Sequence, residues 1–213
     1  LLSAGAQLFA LYGSRFAASE RAPTLTGKAR RYGERAICLA HEAACSWAGE
    51  DYTTFVMDLG AVGKRDIGPL YSYAVSWLSH LDATSEDWTA VAELPWVEAV
   101  LERTLALDET YENGAVHGYL GILNSLRPPA LGGKPDVARA HFERAIELSE
   151  GRDLSIKVEY ARRYARLVFD QELHDRLLTD VISAPVEAPR YTLFNVLAKQ
   201  EAQGLLATSK EYF

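Results

Sequence analysis

Residues 120–148, LGILNSLRPPALGGKPDVARAHFERAIEL, narrow the fold more than any other stretch of this chain. An apolar helical segment runs into Arg127, Pro128, Pro129, Gly132 and Gly133, a connector that no regular helix crosses. Pro135 then stands where a first helical turn tolerates proline, because that N–H would be unpaired anyway. The second helix carries Ala138, Phe142, Ala145, Ile146 and Leu148 on one face, in small-large-small order. A tight helix pair of this kind does not bury its own apolar face, so the rest of the chain must cover it.

The remaining segments supply helices for that purpose. Residues 4–19 carry Leu8, Leu11, Tyr12 and Phe16 at helical spacing, and a helix capped by Thr26 is expected to run to about Trp47. Asp51 caps a short helix ending at Gly60. Pro69 starts an aromatic helix, PLYSYAVSWLSHL, a short helix follows from Thr84 or Ser85, and Pro95 opens another. The two arms of the opening feature span 110–126 and 134–149. Asp153 caps a helix through Phe169, and helices at 173–183 and from Thr192 to about Lys210 complete the chain. No segment alternates as a strand does, so the expected class is all-α.

Composition excludes several functions. The net charge is −7 with no basic patch, which removes the electrostatic basis for nucleic-acid binding. No run approaches the ~20 apolar residues of a membrane span. Hydrophobic residues at 48% and charged residues at 24% suit a globular chain with one substantial core. The chain starts at Leu1 without methionine, as a processed or trimmed product does.

Cys38 and Cys45 both fall within the apparent helix ending near Trp47. Seven helical residues separate their Cα atoms by about 10.5 Å, beyond the ~7 Å that a disulfide spans, so they are expected to remain unpaired. With His41 they share a face, but three ligands spread over two turns of one helix do not close on one ion, and no metal is expected.

A repeat pattern follows from the helix stripes. The order seen at Ala138, Phe142, Ala145, Ile146 and Leu148 is that of a tetratricopeptide helix B. Looser copies stand at Val97, Leu101, Thr104, Leu105, Leu107, at Leu173, Leu177, Val181, Pro185, and at Ala29, Gly33, Ala36, Ile37, Leu39. Positions 101, 142 and 177 are 41 and 35 apart, near the ~34-residue period once the connector counts as an insertion. Leu120 and Gly121 supply the Leu-Gly pair of a helix A. The expected organisation is one all-α domain over 1–213: N-terminal helices at 1–48, a non-repeat insert at 50–94, degenerate repeats at 95–185 stacked as a right-handed superhelix, and a C-terminal helix at 190–213. A generic helical bundle suits the same small-large pattern.

No catalytic constellation emerges. The five histidines, His41, His80, His117, His141 and His174, lack metal-ligand spacing. LGGKP lacks P-loop spacing, and paired acids such as Glu86-Asp87 sit where helix caps and solvated ends account for them. Neither catalytic residues nor a cofactor is expected, and a helical scaffold without such a cluster points to binding. Binding candidates are Tyr73 and Trp77, four apart on one helix face, His117 and Asn124 on the helix leading to the connector, and Arg127 where that helix ends. For each aromatic a core role competes, and for Arg127 a place at a helix C-terminus competes.

The segment from Ala106 to Ala165, with RPPALGG at its centre, the later FDQELHDRLLTDVISAP and LYSYAVSW at 70–77 resemble the T component of the tripartite ATP-independent periplasmic (TRAP) transporters. The resemblance covers nearly the whole chain. It implies tetratricopeptide hairpins, a periplasmic lipoprotein, a homotrimer with a pore near its axis and docking to the substrate-binding P component; it names no ligand, and the expected role is a non-enzymatic scaffold that also holds or passes a small ligand. Membrane attachment would come only through an N-terminal lipidated cysteine outside this sequence, since Cys38 lies too deep in a helix to be that anchor. A general tetratricopeptide adaptor gripping a peptide in its groove is the alternative.

Overall fold

The computed structural model describes residues 1–213, the side chains of Trp88 and Val91 excepted, and every regular element among them is helical. The chain divides into two compact units, Leu1–Glu109 and Thr110–Phe213, so the segment read as repeats at 95–185 contributes to both.

In the first unit, α1 (Leu2–Arg15), α2 (Ala22–Ala40), α3 (Tyr52–Ala61), α4 (Ile67–Ala83), α5 (Trp88–Ala92) and α6 (Leu94–Leu107) follow in order. Every residue from Leu70 to Leu78 is buried, which makes α4 the central helix, and α1, α2 and α6 pack around it. Small residues set the closest approaches. A Cβ at Gly33 of α2 would lie 2.3 Å from the Ser76 hydroxyl and 2.9 Å from the Tyr73 Cα of α4. Asp51 caps α3 as expected, accepting from the Thr53 and Thr54 amides at 3.0 and 3.2 Å; the Thr54 hydroxyl, donating at 2.8 Å, and then those amides hold its carboxyl below the usual range.

The second helix departs from the expectation. It stops at Ala40, His41 is extended at φ −139° and ψ 106°, and a 3-10 turn over Glu42–Cys45 folds the chain back. This return brings the Cα atoms of Cys38 and Cys45 to 4.5 Å and joins them in a disulfide, correcting the expectation that they stay apart. An unbroken helix would have kept the two cysteines apart, but α2 is broken at His41. Leu39, placed in a helix-B stripe, is 78% exposed, while Trp47 beyond the turn is buried against Phe55 and Tyr73.

In the second unit, α7 (Ala115–Asn124), α8 (Pro135–Leu148), α9 (Leu154–Glu159), α10 (Gln171–Ser183), α11 (Thr192–Ala207) and α12 (Ser209–Tyr212) follow. The first arm begins later than expected because Glu112, Asn113 and Gly114 take left-handed φ values of 49°, 56° and 80°. The α7–α8 pair is antiparallel: Gly114 meets Leu148, Gly121 meets Phe142, and the Lys134 amide closes on the Asn124 carbonyl at 2.9 Å. Phe142, with no exposed surface, stacks on Tyr160 at a centroid distance of 5.1 Å. The helix after Asp153 widens into a π-helical segment at Tyr160–Ala165, where buried Glu159 receives Arg162 at 2.6 Å and Arg163 at 3.2 Å. Asn195 pins α11 to the start of α9: its side chain accepts from the Leu154 amide and donates to the Arg152 and Val186 carbonyls.

Candidate functional site

The expected binding residues fall into two groups, one in each unit. In the first, the four-residue spacing on α4 puts the Tyr73 and Trp77 rings 5.0 Å apart, and both are buried, at 4% and 5% exposure. Their rings therefore do not line an open cleft; they form a row with Trp47, whose ring lies 6.0 Å from Tyr73. What reaches the surface is the polar cover over that row. Trp77 Nε1 donates to Glu93 Oε2 at 2.6 Å, and Arg30 Nη1 meets the same oxygen at 2.7 Å. The Arg30 guanidinium lies 4.6 Å from the Trp77 ring centroid while its Nε donates to Glu34 at 2.9 Å.

This cluster has a consistent electrostatic logic. Burial, reinforced by the Glu34 carboxylate, pushes the Tyr73 hydroxyl well above its ordinary range, so it remains a neutral phenol. Burial and then Arg30 lower the His80 pKa, and its Nδ1 stands 3.2 Å from the Thr26 hydroxyl. An indole N–H and a planar guanidinium converging on one carboxylate recognise that group by charge and direction.

In the second unit, His117 Nδ1 and His141 Nδ1 are 2.8 Å apart, so one must donate a proton and the other accept it. Asn124 is buried and serves its own helix, donating to the Leu120 carbonyl at 3.0 Å. Arg127 is half-buried three residues beyond α7, with its guanidinium folded back over the connector toward Gly132. The connector's path depends on the glycines. Gly132 has φ +86°, and a Cβ at Gly133 would lie 1.7 Å from the Arg127 carbonyl oxygen. Gly133→Ala is therefore expected to displace the connector and lower stability by about 2 kcal/mol or more, read as a fall in the chemical-denaturation midpoint. A midpoint equal to that of the parent chain would mean that the connector has another low-energy path.

Sequence reasoning missed Arg30, Glu34, Glu93 and His141. The four-residue spacing of Arg30 and Glu34 was a visible signal for that pair, and the antiparallel register around the connector was one for His141 opposite His117. Glu93 carried no local signal. Among the described residues no group of three or more His, Cys, Asp or Glu is placed to hold a metal ion, and no helix is long and apolar enough to cross a membrane.

Comparison with known proteins adds the family. No curated protein matches the chain. The family model described as TRAP transporter T-component matches residues 1–213, the full length of the sequence. With its all-helical units and the RPPALGG connector between α7 and α8, the chain belongs to the TRAP transporter T-component family.

Proposed function

We propose that this protein is a non-enzymatic scaffold that docks the substrate-binding P component of its TRAP system, works as a homotrimer, and holds or passes a small ligand. The whole-length family match carries this reading. The antiparallel α7–α8 hairpin, with Gly121 against Phe142, supports a tetratricopeptide-like stacking of helix pairs into a superhelix. The Cys38–Cys45 disulfide supports a periplasmic address, since such bonds persist in oxidising compartments, and a lipid anchor ahead of Leu1 completes the expected attachment. Of the candidate ligand contacts, Tyr73 and Trp77 act from beneath Arg30 and Glu93, so a ligand reaches them by displacing the Glu93 carboxylate. His117, Asn124 and Arg127 form the second candidate group, at the hairpin.

Size exclusion with light scattering, alone and with the P component of the same system, tests the reading. The expected result is a particle of three 23.5 kDa chains that takes up P component. A monomer that ignores P component and retains peptides instead would overturn it in favour of the adaptor.

A further inference from the structure

The segment around the disulfide carries two incompatible instructions. By local propensity, ICLAHEAACSWA from Ile37 to Ala48 is a continuous helix: four of its twelve residues are alanine, and it holds neither proline nor glycine. A continuous helix would place the Cα atoms of Cys38 and Cys45 about 10.5 Å apart. The cross-link holds them at 4.5 Å, and α2 breaks at His41. The broken form also leaves polar atoms poorly served, because His41 Nε2, Trp47 Nε1 and Glu50 Oε2 are buried without hydrogen-bond partners. Its gain is the seating of Trp47, 4% exposed, edge-on to Phe55 and beside Tyr73.

We infer that Cys38 and Cys45 form a redox switch of helix length: oxidised, the chain breaks at His41 and seats Trp47; reduced, α2 extends through Cys45 and withdraws Trp47 from Phe55 and Tyr73. The exposed Cys45 is the point of entry, and Cys38 is half-buried. A thiolate of a dithiol reductant attacks Cys45 Sγ, the Cys38 sulfur leaves as thiolate, and the reductant's second thiol resolves the mixed disulfide. Two electrons and two protons pass to the pair, giving two thiols, and the reductant becomes a disulfide. The switch requires nothing of the transport role. It does change the neighbour of Tyr73, and so the floor beneath Arg30 and Glu93.

The test uses the full chain, oxidised and after dithiothreitol, with hydrogen exchange of residues 42–47, far-ultraviolet dichroism and tryptophan emission. Reduction is expected to slow exchange of those amides about tenfold or more, to raise helical ellipticity, and to shift emission to the red. Glu42→Pro favours the extended conformation that His41 already has and stops the helix there, so its reduced form is expected to gain no ellipticity. Unchanged or faster exchange at 42–47 on reduction of the parent chain would overturn the inference. So would an equal gain of helix in reduced Glu42→Pro.

Discussion

Gly33→Val is expected to unfold much of the Leu1–Glu109 unit at temperatures the parent chain tolerates. The α2–α4 crossing has no room at this position: a Cβ meets the Ser76 hydroxyl at 2.3 Å, the Tyr73 Cα at 2.9 Å and the Ser72 carbonyl at 3.3 Å. A serine hydroxyl rotates away, but a backbone Cα on the central helix does not. The helices must separate, and α4 is buried on every side from Leu70 to Leu78, so the strain passes into α1 and α6. Overpacking of this kind costs about 1–3 kcal/mol for a small intrusion, and the two valine methyl groups add to it. Replacing glycine by alanine recovers up to about 1 kcal/mol of helix propensity, whereas valine recovers less. A net loss of about 3 kcal/mol corresponds to a fall of roughly 12 °C or more in the melting temperature of a unit this size. Gly33→Ala is the graded control, expected to lie between parent and valine variant. A melting temperature for Gly33→Val within 2 °C of the parent, read by dichroism, would mean that α2 and α4 do not cross as described.

The second large effect belongs to the α7–α8 hairpin and is best read as a cycle. Phe142→Ala removes a ring with no exposed surface that stacks on Tyr160, and such deletions cost about 3–5 kcal/mol. Gly121→Ala alone is also expected to destabilise, since its Cβ would stand 2.9 Å from three atoms of the Phe142 ring. Made together, the two changes should cost less than their sum by about 1 kcal/mol or more, because the added methyl enters space the ring has left. The measurement is the urea midpoint of the four proteins. Strict additivity would show that Gly121 and Phe142 do not touch, and would remove the contact that supports the proposed tetratricopeptide-like stacking.

These two variants touch residues whose importance was unequally legible. Phe142 stood out as the large member of a small-large-small stripe, and the fold gives it that place. Gly33 stood in a looser stripe beside Leu39, which the structure leaves exposed, so the pattern was right for the buried residues Ala29, Gly33, Ala36 and Ile37 and wrong at its last member. The same helix end misled the reading of the cysteines. No proline or glycine interrupts residues 41–47, and nothing local announces the break. At the candidate site the pairing of Tyr73 with Trp77 followed from spacing alone. Their burial did not, because it depends on Trp47, Arg30 and Glu93 arriving from other elements.

By itself the sequence determined the all-helical class, the caps at Asp51 and Asp153, the arms on either side of the RPPALGG connector, and the family that this connector marks. Each is a local matter: periodicity, capping side chains, and the φ limits of proline and glycine act within a few residues of where they are written. The tertiary structure alone decided that α2 stops at Ala40, that Cys38 meets Cys45, that Glu93 and Arg30 share the edge of Trp77, and that His117 faces His141. Those outcomes join segments whose local preferences are silent about one another or, at His41, opposed to the result. There a covalent bond prevails over helix propensity worth only a few tenths of a kcal/mol per residue.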